Sequence, residues 1–438
     1  MPPGSSCEVR VEAISHEGRG IAHVGGKATF IDGALPGERV RFCYTRRHGR
    51  FDEGIAIEIL EPAPVRVEPR CPHFGLCGGC SLQHYASIAQ IQHKQAVLLE
   101  QLQHIGGVRP ASILPPLTGP VWDYRHKARL TVRYVEKKAK LLIGFKEKGG
   151  RRVADLSRCE VLHPSVGQKL TELGMLLGKL SLYKQIPQVE VAVGEDSTAL
   201  VIRHLAPLSD HDQEQLKRYA ELHRMSIYLQ AGGPETVELL WPKDARSLHY
   251  RLPAEDIEIY FEPTDFIQVN PAINQAVVGR VVELLNPKPD ERVLDLFCGL
   301  GNFTLPIARH AGWVLGIEGQ ASLVGRARRN AEHNKINNVD FEVMDLADEN
   351  LEATFIPSYF DKVLLDPPRT GAREIIERLE FKGVKRLVYV SCNPATLARD
   401  AQILVHARGL LLAAAGVLDM FPHTSHVESI ALFIRNPP

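Results

Sequence analysis

The sequence predicts an α/β protein: a doubly wound, mostly parallel sheet in the C-terminal half, an α+β segment before it, and a small OB-type β-barrel at the start. Three observations carry this. From about residue 263 onward, apolar strand-like runs alternate with helix-length segments, the pattern of a parallel sheet covered on both faces. Residues 8 to about 61 are short alternating stretches cut by glycine pairs and turn residues. Between these regions lie a proline-containing linker and a knot of cysteines. The 438 residues suggest three domains at roughly 150 residues each. Apolar residues are 44% and charged residues 24%, which excludes general disorder.

Lys plus Arg and Asp plus Glu number 52 each, so any basic surface must be local. The longest apolar run, 409–418, has ten residues, about half of what a bilayer-spanning helix needs. The opening MPPGSSCEVRVEAIS has no basic region followed by an apolar stretch, so no signal peptide is expected. A cytoplasmic location follows as an expectation, and there disulfides are rare. The eight cysteines (7, 43, 71, 77, 80, 159, 298 and 392) then call for another explanation.

In the first segment, VRVEAI, GKATFI, ERVRFCY and GIAIEIL alternate with a period of two, and Leu35-Pro36-Gly37-Glu38 reads as a turn. About five short strands at this spacing suit a small barrel. Arg46-Arg47-His48-Gly49-Arg50-Phe51 is a basic, aromatic loop, equally a solvated turn or an RNA contact. The linker EPAPVRVEPR leads to CPHFGLCGGC (71–80). A helix is expected over about 85–104, with Ile88, Ile91, Ala96, Leu98, Leu99 and Leu102 as its apolar side. Strands with one or two helices fill 121–260. There, residues 121–160 carry twelve Lys/Arg against five Asp/Glu, the electrostatic mark of a phosphate backbone unless the cations point apart.

In the α/β half, the strand VLDLF runs into Cys298-Gly299-Leu300-Gly301-Asn302, whose glycines allow a tight turn beneath a ligand. A lone GxG is weak evidence, because NAD enzymes also use one. Three features favour S-adenosylmethionine. Thr304 replaces the third glycine of the dinucleotide fingerprint, Asp295 sets a carboxylate where a ligand ammonium could sit, and Glu318 ends the next strand, where an acid can take both ribose hydroxyls. Asp345 follows DFEVM and could face the adenine edge. Asp366-Pro367-Pro368-Arg369 closes another strand, and its prolines hold the chain extended so that Asp366 can face a flat ring.

Cys392, in Ser391-Cys392-Asn393-Pro394, ends the strand KRLVYVSC at the ligand edge of the sheet. A buried cysteine acting as a small hydrophobe is the common case. Its companion changes the balance: His423-Thr424-Ser425-His426-Val427-Glu428 precedes the last strand, SIALFI. A thiol plus a carboxylate is what carbon methylation of uracil requires. C5 becomes nucleophilic only after a thiolate adds at C6, and a base must later remove the C5 proton. Cys298 is a weaker candidate nucleophile, and His423 and His426 are weaker candidate bases. Cys71, Cys77 and Cys80 have metal-type spacing, with Cys159 the nearby candidate for a fourth thiolate. Four thiolates suit zinc or an iron–sulfur cluster, and the solitary fourth ligand favours [4Fe–4S]. The first gap of five residues does not fit a radical enzyme.

Taken in order, CPHFGLCGGC, FIQVNPAIN, DLFCGLGNF, DPPR, SCNP and HTSHVES resemble the RNA uracil-C5 methyltransferase family over nearly the whole chain. The resemblance implies a TRAM-type RNA-binding barrel (1–62), a central α+β domain with an iron–sulfur cluster and RNA contacts (63–262) and a Rossmann-like S-adenosylmethionine-dependent methyltransferase domain (263–438). It implies that Cys71, Cys77, Cys80 and Cys159 hold [4Fe–4S], and that Gln268, Phe297, Asn302, Glu318, Asp345 and Asp366 bind S-adenosylmethionine. Cys392 would be the nucleophile and Glu428 the base. Asp345 departs from the family, which carries Asn there, and a carboxylate cannot donate to adenine. The family also implies that the helix near 85–104 packs on the catalytic domain. A barrel ahead of a four-cysteine set is similar to the 23S rRNA branch, so the expected partner is 23S rRNA, met by a monomer away from membranes. The target uridine should be flipped out of its stack, with Phe266 as a plausible aromatic neighbour. The alternatives are the same chemistry on tRNA or on another 23S rRNA uridine, a non-catalytic RNA-binding protein, and zinc in place of iron.

Overall fold

A computed structural model describes residues 5–348, 359–381 and 383–435. The chain divides into two compact units, one of Met1–Val97, Phe145–Ala154 and Phe421–His426, the other of Leu98–Gly144, Asp155–Met420 and Val427–Pro438. No helix among the described residues is long and apolar enough to cross a membrane.

In the first unit, β1 (Ser6–Arg10), β2 (Ala13–Ile14), β3 (Gly20–Val24), β4 (Lys27–Asp32), β5 (Arg39–Arg47) and β6 (Phe51–Glu61) form one sheet in the order β1-β5-β6-β4-β3-β2. Alternation along β5 turns Val40, Phe42 and Tyr44 inward, where they pack with Val11, Ala22, Ile31 and Ala34. Six strands stand where the sequence pattern suggests five. VRVEAI breaks after Arg10 into β1 and β2, and GIAHV, whose histidine and glycine blur its alternation, forms β3. Helix α1 (Ser87–His104) begins in this unit, and the division falls after its Val97. Its buried face includes Gln90, Ile91, Lys94, Val97, Leu98 and Leu102, whereas Ile88 and Ala96 are exposed. The face is thus rotated from the apolar stripe expected of it, because Gln90 and Lys94 are drawn inward by hydrogen bonds.

The second unit holds β7 (Ser112–Ile113), β8 (Lys127–Val135), β9 (Lys140–Gly144), α2 (Pro164–Gly167), α3 (Leu170–Lys179), β10 (Gln188–Val193), β11 (Thr198–Arg203), α4 (Asp210–His223), β12 (Ser226–Gln230) and β13 (Val237–Trp241). Six of these strands make a sheet in the order β13-β12-β11-β10-β8-β9. A hairpin of β14 (Leu248–Leu252) and β15 (Ile257–Phe261) follows. The remainder is α5 (Pro271–Leu285), β16 (Arg292–Leu296), α6 (Thr304–Ala308), β17 (Trp313–Glu318), α7 (Ala321–His333), β18 (Val339–Val343), β19 (Lys362–Leu365), α8 (Arg373–Arg378), β20 (Arg386–Ser391), α9 (Pro394–His406), β21 (Leu411–Leu418) and β22 (Glu428–Ile434). Its sheet runs β18-β17-β16-β19-β20-β22-β21-β7. The first five strands are mutually parallel, and β22 is antiparallel to both of its neighbours. The inner parallel strands β16, β17, β19 and β20 are buried on both faces and read as continuous apolar runs such as VLL and LVYV, whereas β18 at the edge is largely exposed.

The basic stretch 121–160 is divided by the fold. Phe145–Ala154, with Lys146, Lys148, Arg151 and Arg152, belongs to the first unit. In the second, Lys127 and Arg129 pair with Glu190 at 2.9 and 3.5 Å, and Lys138 and Lys140 with Asp155 at 3.3 and 2.7 Å. Part of the expected excess is therefore neutralised in place.

Candidate active site

Chain direction decides where the chemistry-bearing residues gather. From β16 the chain steps one way to β17 and β18, and later the other way to β19 and β20, which opens a crevice at the carboxyl ends of these strands. Phe297 to Asn302 follow β16, Glu318 ends β17, Asp366 follows β19 and Cys392 follows β20. Because β22 is antiparallel to β20 with Ser391 opposite Ser429, its first residue, Glu428, lies where Cys392 leaves the sheet. Cys392 is half-buried. Burial first, then the negative charges of Glu428 and Asp366, push its thiol from the ordinary 9.0 up to about 11, against the opposing pull of Arg369.

The turn after β16 is tightly set. Phe297 has φ 67°, with Gly299 at 56° and Gly301 at 89°. The N–H groups of Phe297 and Cys298 both reach the Ile317 carbonyl, at 2.9 and 3.0 Å. A non-glycine residue in the left-handed region costs about 1–3 kcal/mol, and such strain concentrates at functional sites. Glu318 accepts from the Gly299 N–H at 3.2 Å and the Gln320 N–H at 3.1 Å, so one carboxylate joins this turn to the approach of α7. Asn302 Oδ1 accepts from the Tyr250 hydroxyl at 2.8 Å and from Asn274 Nδ2 at 2.9 Å, while its own Nδ2 donates to Asn274 Oδ1 at 3.0 Å. The Asp366 N–H holds the Leu296 carbonyl at 3.3 Å, and burial pushes its carboxyl up to about 7.

Gln268 is half-buried in a segment pinned by the His126 N–H to the Val269 carbonyl at 2.8 Å. Phe266, two residues earlier, is 71% exposed and so is not a core side chain. Asp345 is exposed just beyond β18 and accepts from the Ala347 N–H at 3.0 Å. Asn393 caps α9 through the Ala395 N–H at 3.1 Å, and its Nδ2 donates to the Arg369 carbonyl at 3.2 Å, joining the SCNP turn to the DPPR turn.

One expectation is corrected. Asp295 does not face the crevice as a ligand carboxylate: it is fully buried, and Thr304 Oγ1 donates to its Oδ2 at 2.6 Å. Its other oxygen has no partner among the described residues, and burial foremost pushes its pKa up to about 8. Thr304, at the missing-glycine position, thus caps a carboxyl inside the sheet. His423 belongs to the first unit, where it is buried and bonded to Gln90. Cys298 is 4% exposed and burial holds its thiol far above the ordinary range, which fits its lower rank as a nucleophile. The pattern offered no sign of Tyr250. Asn274 and Asn393 sit inside the quoted motifs FIQVNPAIN and SCNP, but only the folded chain shows what they bond.

Among the described residues no cysteine is in a disulfide, and no group of three or more His, Cys, Asp or Glu forms a metal-binding set. Cys71, Cys77 and Cys80 share a turn-rich loop of the first unit, packed against the Phe145–Ala154 segment, and the Gly79 N–H points to Cys77 Sγ at 3.4 Å. An N–H aimed at sulfur suits a thiolate ligand, since such bonds tune cluster sulfurs. Cys159 lies in the second unit, is 7% exposed, and donates its N–H to the Gly167 carbonyl at 2.8 Å.

Comparison with known proteins agrees with this geometry. Residues 242–436 match the family model for tRNA (uracil-5-)-methyltransferases, and residues 3–41 match the TRAM domain. A 23S rRNA (uracil(1939)-C(5))-methyltransferase RlmD of Nitrosococcus oceani is 56% identical over 97% of this chain and 95% of its own. The RlmD of Alkalilimnicola ehrlichii is 50% identical over 99% and 97%. The crystal structure of Pyrococcus abyssi tRNA (uracil-54, C5)-methyltransferase with S-adenosyl-L-homocysteine shares the fold, with a TM-score of 0.74, 23% identity, and coverage of 98% of this chain and 100% of that one. With half or more of its residues shared with the RlmD proteins along almost its entire length, the chain belongs to the RNA uracil-C5 methyltransferase family.

Proposed function

We propose that the protein methylates C5 of one uridine in 23S rRNA, at the position 1939 that names its relatives, with S-adenosylmethionine as donor. The placement of Cys392 beside Glu428, at the ends of antiparallel neighbours, carries the assignment. The Cys392 thiolate adds to uracil C6, which makes an enolate whose C5 is nucleophilic. The donor, when bound, offers an electrophilic methyl group. C5 would take that methyl as the bond between it and the donor sulfur breaks, leaving S-adenosylhomocysteine. Glu428 then accepts the C5 proton, the C5–H electrons restore the C5=C6 double bond, and the C6–S bond breaks to release the thiolate.

Gln268, Phe297, Asn302, Glu318, Asp345 and Asp366 are proposed to hold the donor. Glu318 would take the ribose hydroxyls, and the Tyr250–Asn302–Asn274 cluster would stiffen the turn. Asp345 can accept but not donate at the adenine edge. Residues 1–62 and the basic parts of 63–262 would grip RNA backbone and bases, and 263–438 would carry the catalysis, as a single chain in the cytoplasm. Cys71, Cys77, Cys80 and Cys159 would hold a [4Fe–4S] cluster with a shaping role.

Covalent trapping on 5-fluorouridine-substituted 23S rRNA fragments tests this, because fluorine at C5 cannot leave as a proton. A denaturation-resistant complex is expected for the wild type and not for Cys392→Ala. A complex on substituted tRNA alone would overturn the substrate, and none on either would overturn the chemistry. Anaerobically purified protein should contain about four iron atoms per chain, whereas bound zinc without iron would remove the cluster.

A further inference from the structure

We propose that Asp400 is a positioning residue for the nucleophile: together with Arg399 it fixes the turn after Asp366-Pro367-Pro368 and so holds the Arg369 cation toward Cys392. This rests on the function proposed above, and every residue involved lies in the second unit.

Helix α9 grips this turn at three places. Asn393 Nδ2 and Thr396 Oγ1 both donate to the Arg369 carbonyl, at 3.2 and 3.4 Å. Arg399 Nη2 donates to the Thr370 carbonyl at 2.9 Å, and Asp400 Oδ2 accepts from the Ala372 N–H at 2.7 Å. Asn393, Thr396 and Asp400 are three and four positions apart, so they share one side of the helix. Asp400 is fully buried and holds two further donors. The Tyr389 hydroxyl of β20 reaches its Oδ2 at 2.7 Å, and Arg399 Nε reaches its Oδ1 at 2.8 Å. One carboxylate therefore ties together the turn, the helix and the strand that leads into Cys392. The fit is close: Gly371 has φ 85°, and a Cβ there would stand 2.5 Å from Arg399 Nη2 and 2.6 Å from Asp400 Oδ2.

The two ends of the turn are anchored differently. Asp366 is held at the start by its N–H to the Leu296 carbonyl after β16, whereas residues 369–372 are held by α9. The Arg369 side chain is exposed and has no hydrogen-bond or ion-pair partner among the described residues, so its backbone places it. Of the charged groups that face the Cys392 thiol, Glu428 and Asp366 oppose its ionisation and Arg369 favours it. A buried carboxylate is costly unless it is paired and hydrogen-bonded, and each bond that offsets the cost at Asp400 fixes this turn or its supports. Loss of the clamp should free 369–372 and let the guanidinium move into water. The thiol would then face the two carboxylates without their counterweight, while Asp366 keeps its place.

The test compares full-length wild type, Asp400→Ala, Arg369→Gln and the double variant, with melting temperature as a check of folding. Iodoacetamide labelling of Cys392 at pH 8 should be about tenfold slower in Asp400→Ala, the effect of one unit in a thiol's pKa. The kcat on 23S rRNA fragments should fall alongside. In the Arg369→Gln background the same substitution should add nothing to either loss, because it acts through Arg369. Binding of S-adenosylhomocysteine should be unchanged in Asp400→Ala. Unchanged or faster labelling, a further loss in the Arg369→Gln background, or weaker S-adenosylhomocysteine binding would each overturn the proposal, since general loosening produces them. Asp400→Asn, which keeps an acceptor for Ala372 and Tyr389, should recover part of the labelling rate, and no recovery counts against the proposal. If Asp400→Ala does not fold, Arg399→Met takes its place. It releases the Thr370 carbonyl, and its loss of about threefold must likewise vanish without Arg369. Labelling needs no RNA, which separates the two levels. Failure of wild-type trapping on 5-fluorouridine RNA removes the uracil-C5 chemistry, whereas trapping by the wild type with unaltered labelling of Asp400→Ala removes only the role of Asp400.

Discussion

The Cys392 thiol should be protonated at neutral pH, and its reactivity should report that directly. With a pKa of about 11 against an ordinary 9.0, about one thiol in a thousand is ionised at pH 8, compared with about one in ten for an ordinary cysteine. That is about 100-fold less thiolate. A thiolate of higher pKa is also the better nucleophile, with a Brønsted slope of about 0.4–0.5, which returns about tenfold. Net alkylation at pH 8 should thus be about tenfold slower than for an exposed cysteine. Iodoacetamide labelling, followed by mass spectrometry of the peptide containing Cys392, should give a log rate rising with unit slope from pH 7 to 10. Glu428→Gln removes a negative neighbour, so labelling at a given pH should speed up. The burial contribution, the largest, remains, and the variant should still titrate above 9.0. A plateau below pH 9, or slower labelling of Glu428→Gln, would refute the picture of a thiol silenced by burial and carboxylates.

Asp295, raised from 3.8 to about 8 by burial first, favours folding fully only below about pH 4, and that contribution is lost as pH rises through about 8. Asp295→Asn should accordingly raise the melting temperature at pH 8 more than at pH 5, and equal shifts at both would contradict the assignment. Gly301→Ala would place a Cβ 3.2 Å from Leu305 Cγ at φ 89°, so thermal unfolding should show a loss of about 1–2 kcal/mol together with weaker S-adenosylhomocysteine binding by calorimetry. Tyr250→Phe removes a 2.8 Å bond to Asn302 and should weaken the same binding by about 3- to 10-fold, equivalent to about 0.5–1.5 kcal/mol. In Asn302→Ala the further effect of Tyr250→Phe should vanish, because the two residues act through one bond.

Strand ends were legible in the sequence because parallel strands buried on both faces announce themselves as apolar runs, and the residue after each run is the one presented to a ligand. That is why Glu318, Asp366 and Cys392 could be named from position alone. The partnership of Cys392 with Glu428 was legible as chemistry, but the antiparallel insertion of β22 that brings the pair together was not, since the apolar run SIALFI carries no direction. Bonds between distant segments were also invisible. Tyr250 reaches Asn302 across 52 positions, and Gln90 reaches His423 across 333. The stripe assigned to α1 failed at Ile88 for the same reason: periodicity ranks residues by polarity, and a glutamine and a lysine with partners waiting outrank an isoleucine without them. Asp295 misled because its place before a glycine turn resembles that of a ligand carboxylate, while Thr304, nine residues on, turns it inward.

The register of β22 against β20 makes the proposed catalytic pair a matter of parity. Successive side chains on a strand point to opposite faces, so a slip of one residue in this pairing would send Glu428 to the far face and offer Val427 or Ser429 in its place. A slip of two would restore the face and shift the carboxylate by about 7 Å along the strand, beyond any proton transfer. Length variation among relatives should therefore stay out of the paired part of β22, and an alignment that places a gap there would describe a chain without its proposed base.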